Sequence, residues 1–465
     1  MLRVTELISY DVTHLSQNTM QSFYRFWRSE GMVNRKKFKH LEKNMRNSRP
    51  QKHITIFICL LLIIFVASGC SNKSTEKASS SYDEVNNFLE ENHANVDISN
   101  YGYNNRFSIL DSDIDKNNII LAGETHAVAK NYELELTLLK HLNQKNKIRY
   151  LLAEMGYSDS CYINEYLETG DEAKLKLFYN TFEGTAVWSK ESYDFWIELR
   201  KYNLTIPEDQ RIQVVGIDIE FNAIAALDYL TTIWPSTAPP KEIKLAIEKY
   251  TSSYNLKSQD TITAIKNLQS DMVANPDIYN TYLGSKYFDV SIVIDNVVNF
   301  INASASNGAN SEDIRELSMY SNLKRVYSHL PIGKYFGQFG MEHVFQRTCS
   351  SYMGDKTRFA MYLNSSDSPV KGKVLSIAYG YENCTFMNSR QNNNESVAES
   401  PIKDIDLLNK YSKSDTTIFK LNGDNSPFSR ITAFVKGSSG GSTTDYFQYI
   451  ILIKNSKGTI PLGKL

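Results

Sequence analysis

Short apolar runs that stop at acidic or imidazole side chains recur along the chain. Ile119-Ile120-Leu121-Ala122 ends at Gly123 and is followed by Glu124, Thr125 and His126. Tyr150-Leu151-Leu152-Ala153 reaches Glu154 and Gly156, residues 212–217 reach Asp218 and Glu220, and residues 335–341 reach Glu342 and His343. Such runs fit strands covered on both faces, as in a parallel sheet. In open α/β sheets ligands bind outside the carboxyl ends of the strands, so parallel neighbours would bring these groups to one cleft. Gly123 is expected to let the backbone turn sharply after the first strand.

Helical spacing fills the intervals. Leu134, Leu138 and Leu142 make one buried stripe over 130–143. Residues 83–98 read as a helix and its exit, and 157–167, 171–179 and 192–202 as helices, the last preceded by an N-cap region at Ser189. Four polar helical stretches, 241–257, 259–274, 287–302 and 311–329, make an insertion over about 230–330, and Pro331 and Gly333 mark the return to strands. The last third is strand rich at 335–339, 374–379 and 446–454, with a flexible Gly/Ser loop at 436–442 that could flank a site. The expected fold is α/β: a central, mostly parallel sheet flanked by helices, with a helical insertion.

The N-terminus changes the compartment. Arg46, Arg49 and Lys52 precede an apolar segment from Ile54 to Val66, and Ala67-Ser68-Gly69-Cys70 follows. A basic region, a short apolar core and small residues before a cysteine make a signal peptide, too short for a comfortable membrane span. Its end resembles a bacterial lipobox, which implies lipid on Cys70 and membrane attachment through it. Met45 stands where a signal peptide starts, so the expected organisation is an upstream extension at 1–44, signal peptide at 45–69, flexible tether at 70–82 and one folded body at 83–465. Residues 1–69 hold 11 of the 51 Lys+Arg and 4 of the 52 Asp+Glu, leaving a body of formal charge about −8. A negative body without a basic cluster argues against a nucleic-acid partner. The expected location is the bacterial cell envelope, with Ser71 compatible with delivery to the outer membrane. Cys161, Cys349 and Cys384 remain in the body, and in an exported protein Cys349 with Cys384 is the most plausible disulfide.

Taken together, the segments resemble the erythromycin esterase family, within a broader group that holds haem-binding and metalloprotease relatives. The resemblance runs through Gly123 to His126, Glu154, Trp188 and Glu191, residues 199–203 and Gly216-Ile217-Asp218, then through Arg315, Met319 and Asn322 on one helix to His343. It covers roughly 118–380 in the right order. The chain departs from the family in three places: a single residue separates Glu124 from His126, Gly340 and Met341 stand where His and Asn are usual, and Lys130 stands in for an arginine of the first helix.

The chemistry expected of this set is hydrolysis of an ester or lactone in a small-molecule substrate. His126 would serve as general base, since a neutral imidazole takes a proton from water near neutral pH. Glu124 or Glu154 would orient it, and His343 would polarise the carbonyl or protonate the leaving alcohol. Asp218, Lys130, Arg315 and Glu191 would support these groups or touch substrate. A nucleophile elbow on a strand-to-helix turn is not expected, which disfavours a serine route. No cofactor is required by this reading. The alternatives are a divalent metal held by Glu124, His126, Glu154 and His343 that activates water, as a hydrolase or peptidase, and capture of haem or metal without catalysis.

Overall fold

The computed structural model describes residues 73–101, 105–180, 182–253, 258–306, 308–351, 354–389, 394–398, 400 and 402–463. The extension, the signal peptide and Cys70 lie outside these residues. The body is the compact unit Ser80–Leu465. A helix at Lys73–Glu91 begins within the stretch read as a tether and carries the helix expected from Asp83.

The strands, in chain order, are β1 (His93–Val96), β2 (Ile119–Glu124), β3 (Tyr150–Gly156), β4 (Gln213–Asp218), β5 (Tyr335–Gly340), β6 (Ser350–Ser351), β7 (Gly354–Asp355), β8 (Val374–Glu382), β9 (Thr385–Asn388), β10 (Asn394–Val397), β11 (Thr416–Lys420) and β12 (Tyr449–Lys454). Eight of them form one sheet in the order β1-β11-β12-β8-β2-β5-β3-β4, while β9 with β10 and β6 with β7 make two small ribbons. From β12 to β4 every neighbour is parallel. At the other edge β1 and β11 run antiparallel, and neither was legible as a strand. Burial explains the apolar runs. Ile119, Ile120 and Leu121 of β2 and Ile450, Ile451 and Leu452 of β12 have no exposed surface.

Helices cover the sheet where the spacing placed them. Ala129–Asn146 buries Leu134, Leu138 and Leu142 completely, and truncating any one of these to alanine costs about 2–5 kcal/mol. Lys190–Asn203 starts at the expected cap, where the Ser189 side chain accepts the Ser192 N–H at 3.3 Å. The insertion comprises Ala223–Ile233, Lys241–Ser252, Gln259–Ala274, Pro276–Leu283, Tyr287–Ala305 and Gly308–His329, with Pro276 at the first helical position where its missing N–H is harmless.

Two local expectations change. Gly123 lies within β2 rather than at a turn, and its missing Cβ makes room for Met341 and Val344 of the short helix Met341–Val344. The turn falls instead on Ala127, whose φ of 62° is the left-handed conformation that side chains disfavour. Cys349 and Cys384 are not bonded to each other. Cys384 is buried just beyond the end of β8, with its thiol near the carbonyls of Glu382 and Ile453, and so serves as an apolar filler beside β8 and β12.

Candidate functional site

The carboxyl ends of β2, β5, β3 and β4 are neighbours, and they bring Glu124, His126, Glu154, Asp218 and His343 together, with Arg315 reaching in from Gly308–His329. The pairing of β3 with β4 shifts register between Ala153 and Gly156, the stretch of β3 that carries Glu154. The cluster divides into a pair that faces an open cleft and a network behind it that meets the cleft only through Glu154.

The open pair is Glu124 and His126. His126 Nδ1 lies 2.7 Å from Glu124 Oε1, and the His126 side chain is 56% exposed while that of Glu124 is 10% exposed. Glu124 Oε2 accepts the Asn131 amide and, at 3.4 Å, the Gln338 amide. Nε2 of His126 has no hydrogen-bond partner among the described residues and lies 3.9 Å from Glu154. Burial opposes the imidazolium charge, but the Glu124 hydrogen bond and the carboxylates of Glu154 and Glu124 outweigh it and lift the ring to about 9. Burial pushes the Glu124 carboxyl up, against the pull of His126.

The walled network is centred on Arg315. Its guanidinium meets both oxygens of Asp218, at 3.0–3.1 Å from Nε and 2.6 Å from Nη2, and Nη2 also donates to Glu154 at 2.5 Å. Asp218 has no exposed surface. Burial pushes its carboxyl up, with Arg315 opposing. Glu154 accepts the Gly340 N–H at 2.7 Å. Burial disfavours its charge, yet His343, Arg315 and His126 hold it well below the usual carboxylate range. His343 is 8% exposed, with Nε2 3.4 Å from Glu154 and Nδ1 2.8 Å from Glu316. Burial works against its charge, and the flanking carboxylates Glu316 and Glu154 raise it to about 10. Glu316 is in turn tied to Arg358 at 2.9 Å and to the Phe359 N–H at 2.7 Å.

The cleft has a volume of about 780 Å³, within the range of about 300–1,000 Å³ usual for small-molecule sites. Glu124, His126, Glu135 and Glu154 sit among Tyr132, Phe178, Phe182, Phe195, Trp196 and Phe221 in its lining. His343 does not line it. The walling-off by Glu154, Glu316 and Arg315 corrects the expectation that His343 meets substrate. Lys130 and Glu191 are also elsewhere: Lys130 Nζ donates to Asp415 at 2.7 Å and to the Lys454 carbonyl, and Glu191 accepts the Ile460 N–H at 2.9 Å. Both side chains fasten the C-terminal segment. Trp196 lines the cleft, whereas Trp188 donates to the Leu462 carbonyl. His141 is fully buried, with Nε2 2.7 Å from Asp111. The letters G-x-S-x-G do occur at Gly437-Ser438-Ser439-Gly440-Gly441, but in an irregular loop where Ser439 Oγ donates to Thr348 O at 2.6 Å. No elbow geometry supports a serine nucleophile there, and the loop does not line the cleft.

Several site residues escaped the sequence reading. Asn131 and Glu135 are four apart on the helix beside β2, a polar pair next to the leucine stripe. Gln338 interrupts the apolar run of β5, donating at 3.3 Å to Glu135, and Tyr379 fixes its amide by donating to Oε1 at 3.0 Å. Burial and the Glu124 charge push Glu135 well above the usual range. The polar interruption in each apolar pattern was the available signal.

For a metal, the residues do not fit. The fixed cation of Arg315 already stands between Glu154, Asp218 and His343, with Nη1 3.3 Å from His343 Nε2, so a metal ion there would face a guanidinium. Among the described residues no group of three or more His, Cys, Asp or Glu side chains is arranged to hold one. For a haem iron, His126 offers Nε2 toward the cleft.

No family profile and no curated protein matches the chain. Solved structures do. A protein from Bacillus cereus aligns at 16% identity with a TM-score of 0.59, over 82% of this chain and 99% of that one. A succinoglycan biosynthesis protein aligns at 12% and 0.61, over 81% and 98%. A mutant of the erythromycin esterase EreC in its open conformation aligns at 15% and 0.56, over 79% and 98%. The chain therefore has an erythromycin esterase-like fold at low sequence identity.

Proposed function

We propose that this protein is a hydrolase of the erythromycin esterase type, in which the Glu124–His126 pair activates water against an ester or lactone of an apolar small molecule. The observation that carries the reading is the 2.7 Å contact between Glu124 and His126 Nδ1, with Nε2 left to an aromatic-walled cleft. With the ring neutral, Nε2 takes a proton from water as the water oxygen adds to the carbonyl carbon. Glu124 stabilises the imidazolium, which then returns the proton to the leaving alkoxide oxygen as the C–O bond breaks. Because His126 is lifted to about 9, the base form is gained as pH rises, and kcat climbs on the alkaline side rather than levelling near 6.5. Arg315 has a supporting part: it keeps Glu154 ionised behind the ring, without reaching the cleft itself.

The test is turnover of a panel of aryl esters and macrocyclic lactones by the purified protein beside His126→Ala, each with and without chelator. Removal of the base should lower kcat by about 10²–10⁴-fold, and chelator should leave the rate unchanged. Full turnover by His126→Ala would sink the reading. The open Nε2 also suits haem capture, and a Soret band on haem titration that vanishes in His126→Ala, with no esterase turnover, would favour that instead.

The segment ending Ala67-Ser68-Gly69-Cys70 supports placing the protein in the bacterial envelope on a lipid anchor. No described helix is long and apolar enough to cross a membrane. Labelling of cells with an alkyne palmitate analogue should tag the protein and not Cys70→Ala.

A further inference from the structure

Three side chains from two strands and a helix form a closed hydrogen-bond circuit around the loop that carries His126. The Thr125 N–H donates to Tyr381 Oη at 3.0 Å. Tyr381 Oη donates to Asn131 Oδ1 at 3.0 Å. The Asn131 amide donates to the Thr125 carbonyl at 2.8 Å and to Glu124 Oε2. Tyr381 is 4% exposed and Asn131 has no exposed surface. The circuit is directional. Once the Thr125 N–H fills one lone pair of the phenol, its proton goes to Asn131 Oδ1, the one acceptor it has among the described residues, and that contact decides which end of the Asn131 amide faces Glu124. The amide nitrogen therefore points at the carboxylate, and the remaining oxygen, Oε1, faces His126 Nδ1.

We propose that Asn131 and Tyr381 are positioning residues that fix the orientation of the Glu124 carboxylate and so hold neutral His126 as its Nδ1–H tautomer, with the Nε2 lone pair toward the cleft. The proposal rests on the hydrolase reading for its use and on the circuit for its existence. Neither residue touches the cleft: Asn131 and Tyr381 act only through Glu124 and the Thr125 backbone. A free Glu124 could rotate about its last bond and leave Nδ1 without its acceptor. The ring would then populate both tautomers, and the one with Nε2–H cannot accept a proton from water.

The experiment uses the full chain with ¹⁵N-labelled histidine. Ring-nitrogen shifts are read in wild type, Tyr381→Phe and Asn131→Ala across a pH titration and compared at its alkaline plateau, where the ring is neutral, and kcat and KM are measured on the hydrolysed ester. Wild type should show one tautomer, Nδ1–H. Tyr381→Phe, which keeps the aromatic body in place, should show a mixture of tautomers and a kcat lower by about 10-fold at unchanged KM. Asn131→Ala provides the same readout if the phenylalanine variant does not fold. A purely structural role would lower thermal stability and leave the nitrogen shifts as in wild type, and that result overturns the proposal. Failure of the hydrolase reading is separate: His126→Ala would keep full turnover, while the tautomer shifts would still judge the circuit.

Discussion

Glu124 with His126 and Glu154 with His343 are the same two residue types at the carboxyl ends of strands in one sheet, and their surroundings give them opposite characters. His126 is 56% exposed and has one carboxylate in hydrogen-bond contact, whereas His343 is 8% exposed between two carboxylates and beside a guanidinium. Both rings are raised, to about 9 and about 10, yet only the first has a nitrogen open to the cleft. Residue type and strand position therefore do not make a catalytic group. Access does, and access is decided by the residues behind: Arg315, Glu316 and Arg358 close one region, and Asn131, Gln338 and Tyr381 steady the other without closing it.

The sharpest way to break this contrast is to remove the cation that closes the second region. Arg315→Ala leaves Asp218 fully buried without its partner, and truncating one member of a buried pair destabilises by about 3–5 kcal/mol. An unfolding free energy from urea titration lowered by that amount in Arg315→Ala, and by less in His126→Ala, whose ring is 56% exposed, is the expected outcome. Equal effects at the two sites would mean that Arg315 is no more enclosed than His126.

Titration sharpens the comparison further. His343 is raised from 6.5 to about 10 by Glu316 and Glu154, so the folded protein holds a proton there that the unfolded chain releases. Its contribution to stability is complete below 6.5 and lost as pH rises through 10. Other groups titrate in the same interval, including Glu220, raised to about 7 by burial, so the quantity to measure is a difference. Wild type should lose more stability than His343→Gln between pH 7 and pH 10. Parallel curves would show that the ring is neutral in the folded state at neutral pH.

The sequence made the fold and the open pair legible for one reason: unbroken apolar runs and helical patterns report burial, and a buried strand that stops at a charged residue marks the end of a sheet. Ile119 to Glu124 and Tyr150 to Glu154 are of that kind. It could not tell His343 from His126, because the difference lies in Arg315 and Glu316, which arrive from a helix in the insertion. Nor could it find Asn131 and Tyr381, which meet through a contact between positions 250 apart in the chain. β1 and β11 escaped because His93–Val96 and Thr416–Lys420 are short runs that mix polar and apolar residues; of the two, β1 is the edge, while β11 is paired on both sides and buried. Lys130 and Glu191 looked like site residues by order along the chain, but helical geometry turns both toward the C-terminal segment.

The smallest expected effect concerns the backbone that joins the two residues of the open pair to the helix behind them. Ala127 sits at φ 62°, and its carbonyl is held by the Met387 and Thr459 N–H groups at 3.1 and 3.0 Å, so the loop is kept in this conformation from outside. An L residue held there stores about 1–2 kcal/mol. Ala127→Gly releases it, but adds conformational freedom to the unfolded chain worth about 0.4–1 kcal/mol, and removes a buried methyl worth about 0.8 kcal/mol. The terms nearly cancel, so the thermal midpoint should stay within about 2 °C of wild type. Ala127→Val keeps the strain and adds a branched side chain, and should cost about 2 kcal/mol or more. A glycine that destabilises as much as valine would place the turn after His126 elsewhere, and with it the strained seat that separates the open pair from the walled one.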